Sequence, residues 1–158
     1  MQARIETITS RKLVGLSKAM STSDDRTAEL WRAFMPRRRE VENRVGTDFY
    51  SVKRYDLHEN SSLFAPHVQF RRWAAVEVKN FDKIPEGMES YTLTGGKYAV
   101  FRHHGLPSEF FRTFQFIFGK WLPATGNSLD QRDHFEILSQ DYRPDDPEAE
   151  EDIWIPIK

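Results

Sequence analysis

Glu136 is the side chain with the clearest capacity for chemistry, because it interrupts a strand-forming apolar run, His134-Phe135-Glu136-Ile137-Leu138. Strand alternation puts Phe135 and Ile137 on one face and His134, Glu136 and Leu138 on the other. A carboxylate among apolar neighbours loses hydration at substantial cost unless it is paired or protonated. One outcome is a site that takes a cation, best an organic cation with aromatic bulk, whose charge meets the carboxylate while its rings meet π faces. Another is a raised pKa that makes the glutamate a general acid or base. A third is that Glu136 is exposed or bridged to one of the chain's arginines, since glutamate is seldom buried. In the run 70–78, Ala74, Val76 and Val78 share one face and Trp73, Ala75 and Glu77 the other. Trp73 becomes a candidate wall and Glu77 a second candidate acid.

The position of Glu136 is underlined by an internal repeat. Ile8-Thr9-Ser10-Arg11-Lys12-Leu13 aligns with Leu93-Thr94-Gly95-Gly96-Lys97-Tyr98, and the same offset lays Asp48-Phe49-Tyr50-Ser51-Val52 on Asp133-His134-Phe135-Glu136-Ile137. Duplication of one supersecondary unit implies two copies packed on a shared seam. Ser51 is the counterpart of Glu136, and pseudo-twofold packing brings both to that seam.

The elements that must position these residues are legible in outline. Residues 5–19 read as a strand with an interruption at Thr9-Ser10-Arg11-Lys12, before Leu13-Val14-Gly15-Leu16, that reads as a bulge or bend. Asp24 or Asp25 can cap a helix starting near Thr27, with Leu30, Phe34, Val41 and Val45 near one face and Pro36 kinking or splitting it. Residues 48–56 and 70–78 are strands, joined by a loop with Asn60-Ser61-Ser62 and Pro66, which completes a strand-helix-strand-strand unit. Turn formers across 79–87 mark the joint between halves. The second unit runs through a strand at 90–103 broken at Gly95-Gly96, then a helix from a Ser108 cap to about Trp121, stopped by Pro123 and Gly126. Strands at 134–138 and 153–157 close it. On that second helix Phe110, Phe114, Ile117 and Trp121 form one stripe and Phe111, Phe118 and Leu122 another, so it must be covered on two sides. The expected class is α+β, one domain over residues 1–158, with a first repeat at about 1–80 and a second at about 86–158.

Several function classes are excluded or weakened. There is no cysteine, so neither a disulfide framework nor a thiolate metal site exists. The histidines His58, His67, His103, His104 and His134 show no metal-ligand spacing, and no metal or cofactor is expected. Gly95-Gly96 belongs to neither a Walker nor a dinucleotide motif, and no nucleophile elbow occurs. A net charge of -1 gives no general attraction to nucleic acid or anionic lipid. The triplet Arg37-Arg38-Arg39 and the acidic stretch Pro144-Asp145-Asp146-Pro147-Glu148 read as solvated surface. With no signal-peptide run and no membrane-spanning run, the expected location is cytoplasmic.

Ile84-Pro85-Glu86-Gly87-Met88, Gly96-Lys97-Tyr98-Ala99-Val100-Phe101, Phe118-Gly119-Lys120-Trp121-Leu122-Pro123, His134-Phe135-Glu136 and Ile153-Trp154-Ile155-Pro156-Ile157 together resemble the gyrase-inhibitor-like (GyrI-like) small-molecule-binding domain. That domain also serves as the effector-binding part of AraC-type and MerR-type regulators. The resemblance implies a duplicated unit, a curved antiparallel sheet with two main helices, and a ligand cleft between halves with an acidic residue at its centre, here Glu136. It implies lipophilic cations as ligands of multidrug-responsive members, and hydrolysis of strained electrophiles by some stand-alone ones. Regulatory members carry a helix-turn-helix segment ahead of the sensor; here a strand begins within a few residues of Met1, so a sensor without a DNA-binding arm is expected.

The leading expectation is a binding module for a hydrophobic, aromatic or cationic small molecule, with Glu136 at the base of a cleft walled by Trp31, Phe34, Tyr50, Trp73, Phe114 and Phe118. The alternatives are hydrolysis of a reactive xenobiotic by Glu136 with Glu77 or a tyrosine, and a protein-interaction role resembling gyrase inhibition.

Overall fold

The computed structural model describes residues 2–55 and 65–158; His58 and Asn60-Ser61-Ser62 lie outside them. The described residues form strands β1 (Ala3–Ile8), β2 (Arg11–Met20), β3 (Phe49–Tyr55), β4 (Phe70–Val78), β5 (Glu89–Leu93), β6 (Gly96–His104), β7 (His134–Leu138) and β8 (Glu150–Pro156). Helix α1 is Thr27–Phe34, α2 is Phe110–Phe116 and α3 is Leu122–Thr125, with a π turn, Ile117–Trp121, joining the last two.

The strands make one antiparallel sheet in the order β1-β6-β8-β7-β3-β4-β2-β5. This order is symmetric about the β7–β3 pair, each strand of the first half standing where its repeat stands in the second. At the centre Ser51 faces Glu136 directly in register. The two positions related by the repeat therefore meet on the pseudo-twofold itself.

The interruption at Thr9-Ser10 is neither bulge nor bend. It is a two-residue link from β1, at one edge of the sheet, to β2, next to the other edge, and Thr94-Gly95 links β5 to β6 in the same way. Links this short force the sheet to curl until its edges meet. The two links cross: the Gly95 N–H donates to Ser10 Oγ at 3.3 Å. A Cβ on Gly95 would stand 2.4 Å from the Ile8 carbonyl oxygen. Gly95→Ala is expected to cost roughly 2 kcal/mol through forced backbone displacement, read as a lower urea midpoint at unchanged m-value.

The curl closes one face of the sheet around aromatic rings. Phe135 stacks on Trp154 at 5.1 Å, Trp73 on Tyr91 at 4.6 Å, and Tyr91 Oη donates to Asp133 Oδ2 at 2.6 Å. Both helical segments lie on the opposite face. Leu30 and Phe34 of α1 pack with Val14, Phe49, Ala74 and Val76 of the sheet; Ile117 and Phe110, Phe114 and Phe116 of α2 pack with Phe101, Ile153 and Ile155.

Local signals act mostly as their chemistry dictates. The Asp25 carboxylate accepts bonds from the Thr27 N–H at 2.9 Å and its hydroxyl at 2.6 Å. The helix stops at Phe34, and Pro36 falls in the first turn of a 3-10 segment, Met35–Glu40. Val41 still reaches the core of α1, whereas Val45 is exposed. Ser108 makes no cap; it lies inside a short 3-10 turn, Pro107–Glu109. Pro123 does not end the second helix, which continues from the π turn through α3 to Thr125. Gly126, with φ 71°, ends it.

Candidate functional site

The register across the sheet decides which side chains share a face. Phe101, Ile153, Glu136, Ser51, Ala74 and Leu16 form one row, on the face that carries the helices. Neighbouring positions Trp154, Phe135, Val52 and Trp73 form the row on the closed face. Since α1 packs over β2 and β4 and the second helix over β6 and β8, the central strands β7 and β3 lie between them. Glu136 is at the middle of that stretch.

Glu136 is only 4% exposed and two cations of the chain reach it. Lys53 Nζ lies 3.4 Å from Oε1 and Arg72 Nη1 3.9 Å from Oε2. Arg72 Nη1 also donates to Ser51 Oγ at 2.7 Å, so the pseudo-symmetry partner of the glutamate orients its counter-charge. Oε2 itself has no hydrogen-bond partner. Lys53 Nζ stands 4.6 Å from the Phe114 ring centroid, which brings α2 over the pair. The bridging of Glu136 to an arginine, one of the outcomes the sequence left open, is thus realised, with a lysine added. Burying ions in this way costs several kcal/mol each before mutual attraction returns part of it, so the arrangement is a poor route to stability.

Three further ionisable groups surround the pair. His134 pairs with Lys53 in register and is buried; desolvation, then the positive charges of Lys53 and Arg132, push its pKa down to about 3. Glu151, on β8, is pushed up to about 8 by burial and then by Glu136, against the pull of Lys53 and Arg72. Burial, followed by Glu151 and Glu136, raises Tyr142 as well. At the rim, burial of Asp25 is outweighed by its bonds from Thr27 and by Arg72 and Lys53, which hold it below the ordinary aspartate range.

Of the expected walls, Phe114 meets Lys53, and Phe118 lies 6.3 Å from Phe114. Trp31 is half-buried, edge-on to Phe34 and Phe49 at 6.0 and 6.1 Å. Phe34 is fully buried beneath α1 and is ordinary core. Tyr50 and Trp73 lie on the closed face, away from Glu136. The alternation within each strand was as expected; the pairing of faces between strands was not, because Glu136 aligns with Ser51 and Ala74 and not with Trp73. Glu77 is on that far side too, accepting from Tyr50 Oη at 3.3 Å, while Arg11 donates to the same oxygen at 2.8 Å. Burial pushes Tyr50 up to about 12. A paired action of Glu136 and Glu77 has no geometric basis. Phe111, placed in the second stripe, is 67% exposed.

Lys53, Arg72 and Glu151 were not singled out from the sequence, though Lys53 follows Ser51 at the spacing that keeps a strand face. Among the described residues no cluster of histidine and carboxylate groups could hold a metal, and no helix is long and apolar enough to cross a membrane.

Comparison with known proteins bears on the family and the fold. The chain is 30% identical over 99% of its length to the transcriptional regulator BrlR of Pseudomonas aeruginosa, of which it spans 56%. Its fold matches SAV2435 bound to tetraphenylphosphonium, with a TM-score of 0.69 at 18% identity over 100% of this chain and 94% of that one. It also matches EcmrR in a DNA complex, with a TM-score of 0.70 at 13% identity over 99% of this chain and 57% of that one. A family model, the GyrI-like small molecule binding domain, matches residues 1–158. The chain belongs to the GyrI-like small-molecule-binding family.

Proposed function

We propose that this protein binds a lipophilic aromatic small molecule on the helix-bearing face, between α1 and α2, with Glu136 at the base and Phe114, Phe118 and Trp31 as apolar walls. The observation that carries this reading is the buried Glu136 carboxylate on the pseudo-twofold, with Oε2 lacking a hydrogen-bond partner. Membership of a small-molecule-binding family and the fold-level likeness to a protein bound to tetraphenylphosphonium support it.

The site accepts a cation by exchange. Lys53 and Arg72 already balance Glu136, so an incoming cation must displace Lys53 toward solvent, and apolar contact supplies most of the affinity. Titration with an arylphosphonium and a neutral isostere tests this. Glu136→Gln is expected to weaken the cation about tenfold, or about 1.4 kcal/mol, and the neutral compound far less. Lys53→Met, by removing the competitor, should strengthen the cation by a similar factor. Equal losses for both compounds in Glu136→Gln, or weaker cation binding in Lys53→Met, would contradict the exchange.

A further inference from the structure

The connection between β7 and β8, residues 139–149, lines a cavity of about 420 Å³ at the end of the sheet. Its volume is in the range of small-molecule sites. Its lining is dominated by carboxylates, and the two arginines there do not neutralise them. Arg102 is committed to Glu150 and Asp152 at 3.0 and 2.9 Å. Asp48, Asp141 and Asp146 have no ion pair among those found for the described residues.

An acidic rim by itself would be only a solvated surface. The independent observation is Glu151, which forms part of the wall, is 5% exposed, and has Oε1 buried without a hydrogen-bond partner. Leaving such a group unsatisfied is costly, and a cationic donor entering the cavity would satisfy it. A metal ion is a poor occupant, since no three carboxylate or imidazole groups converge among the described residues. The acids are spread along the wall, which suits separated positive charges on a flexible chain.

We propose that this cavity binds an organic di- or polyammonium ion, with one ammonium against Glu151 and the others on the rim carboxylates Asp141 and Asp146. The cavity's lining excludes Glu136, Lys53 and Arg72, but Glu151 is electrostatically coupled to all three, so the two sites adjoin. Glu151 faces Glu136 of β7, Lys53 of β3, Arg72 of β4 and Tyr142 of the connection, and pairs in register with His103 of β6. His103 is itself held by Thr113 of α2, at 2.8 Å. With its pKa near 8, Glu151 is mostly protonated at pH 7, so binding an ammonium there releases a proton.

Calorimetric titration of 1,5-diaminopentane, whose two amines both stay protonated over the range used, tests the site. Saturable binding to one site is expected, tightening about tenfold between pH 7 and 9, with proton uptake by buffer at pH 7. Glu151→Gln should weaken it at least tenfold at pH 9 and abolish the proton release. The double substitution Asp141→Asn/Asp146→Asn, on exposed positions, should weaken it severalfold and serves if the core variant does not fold. Absence of saturable binding overturns the proposal, as does unchanged affinity in the rim variant or in folded Glu151→Gln.

Discussion

Lowering the pH from 7 to 4 is expected to remove about 3 kcal/mol of stability through His134 alone. Its folded pKa of about 3 lies below the ordinary 6.5, because desolvation and then Lys53 and Arg132 disfavour the imidazolium. The unfolded chain therefore takes up the proton first. The contribution is fully present above pH 6.5, begins to fall as pH drops through that value, and is exhausted near pH 3. His134→Leu keeps the Tyr55 ring, edge-on at 5.2 Å, in apolar contact and removes the titration. Urea midpoints of wild type and variant across pH 7 to 4 should diverge by that amount; parallel curves would mean that His134 is protonated in the folded protein.

Raising the pH from 6 to 9 is expected to cost about 3 kcal/mol through Glu151. Here the sign is reversed. A carboxyl whose folded pKa of about 8 exceeds the ordinary 4.5 is bound to its proton more tightly in the native state. Its stabilising contribution is complete below pH 4.5 and is lost as pH rises toward 8. Glu151→Gln should flatten this window and be more stable than wild type at pH 9. A variant that is less stable at pH 9 would show that the ionised carboxylate finds partners in the fold. The His134 and Glu151 windows oppose each other between pH 4.5 and 6.5, so the stability maximum for these two groups falls in that interval.

The sequence made Glu136 legible because a repeat offset and a charged residue in an apolar strand point to the same position. The repeat also carried the pseudo-twofold, which the register of Ser51 against Glu136 realises. What it did not carry was the register between strands. Alternation gives two faces per strand without saying which faces join, and a one-residue shift moves a whole set of side chains through the sheet. Trp73, Tyr50 and Glu77, expected beside Glu136, therefore stand on the other face of the sheet. The crossing at Thr9-Ser10 was hidden for a related reason: two residues between strand patterns read as an irregularity in one strand, although the same two-residue break recurs at Thr94-Gly95. The cations on Glu136 come from β3 and β4, far apart in sequence, and only the paired strands bring Lys53 and Arg72 to it. Phe34 shows the opposite limit, since helical spacing marks a residue as inward-facing without distinguishing a core from a cleft.

The crystal structure of the protein with a lipophilic aryl cation is the most direct test of where and how it binds. The cation is expected between α1 and α2, with a ring against Phe114, its positive centre against the Glu136 carboxylate, and the Lys53 ammonium moved away from its 3.4 Å contact. A cation lodged on the far face beside Trp73 and Tyr50, or one bound with the Lys53–Glu136 pair intact, would contradict it.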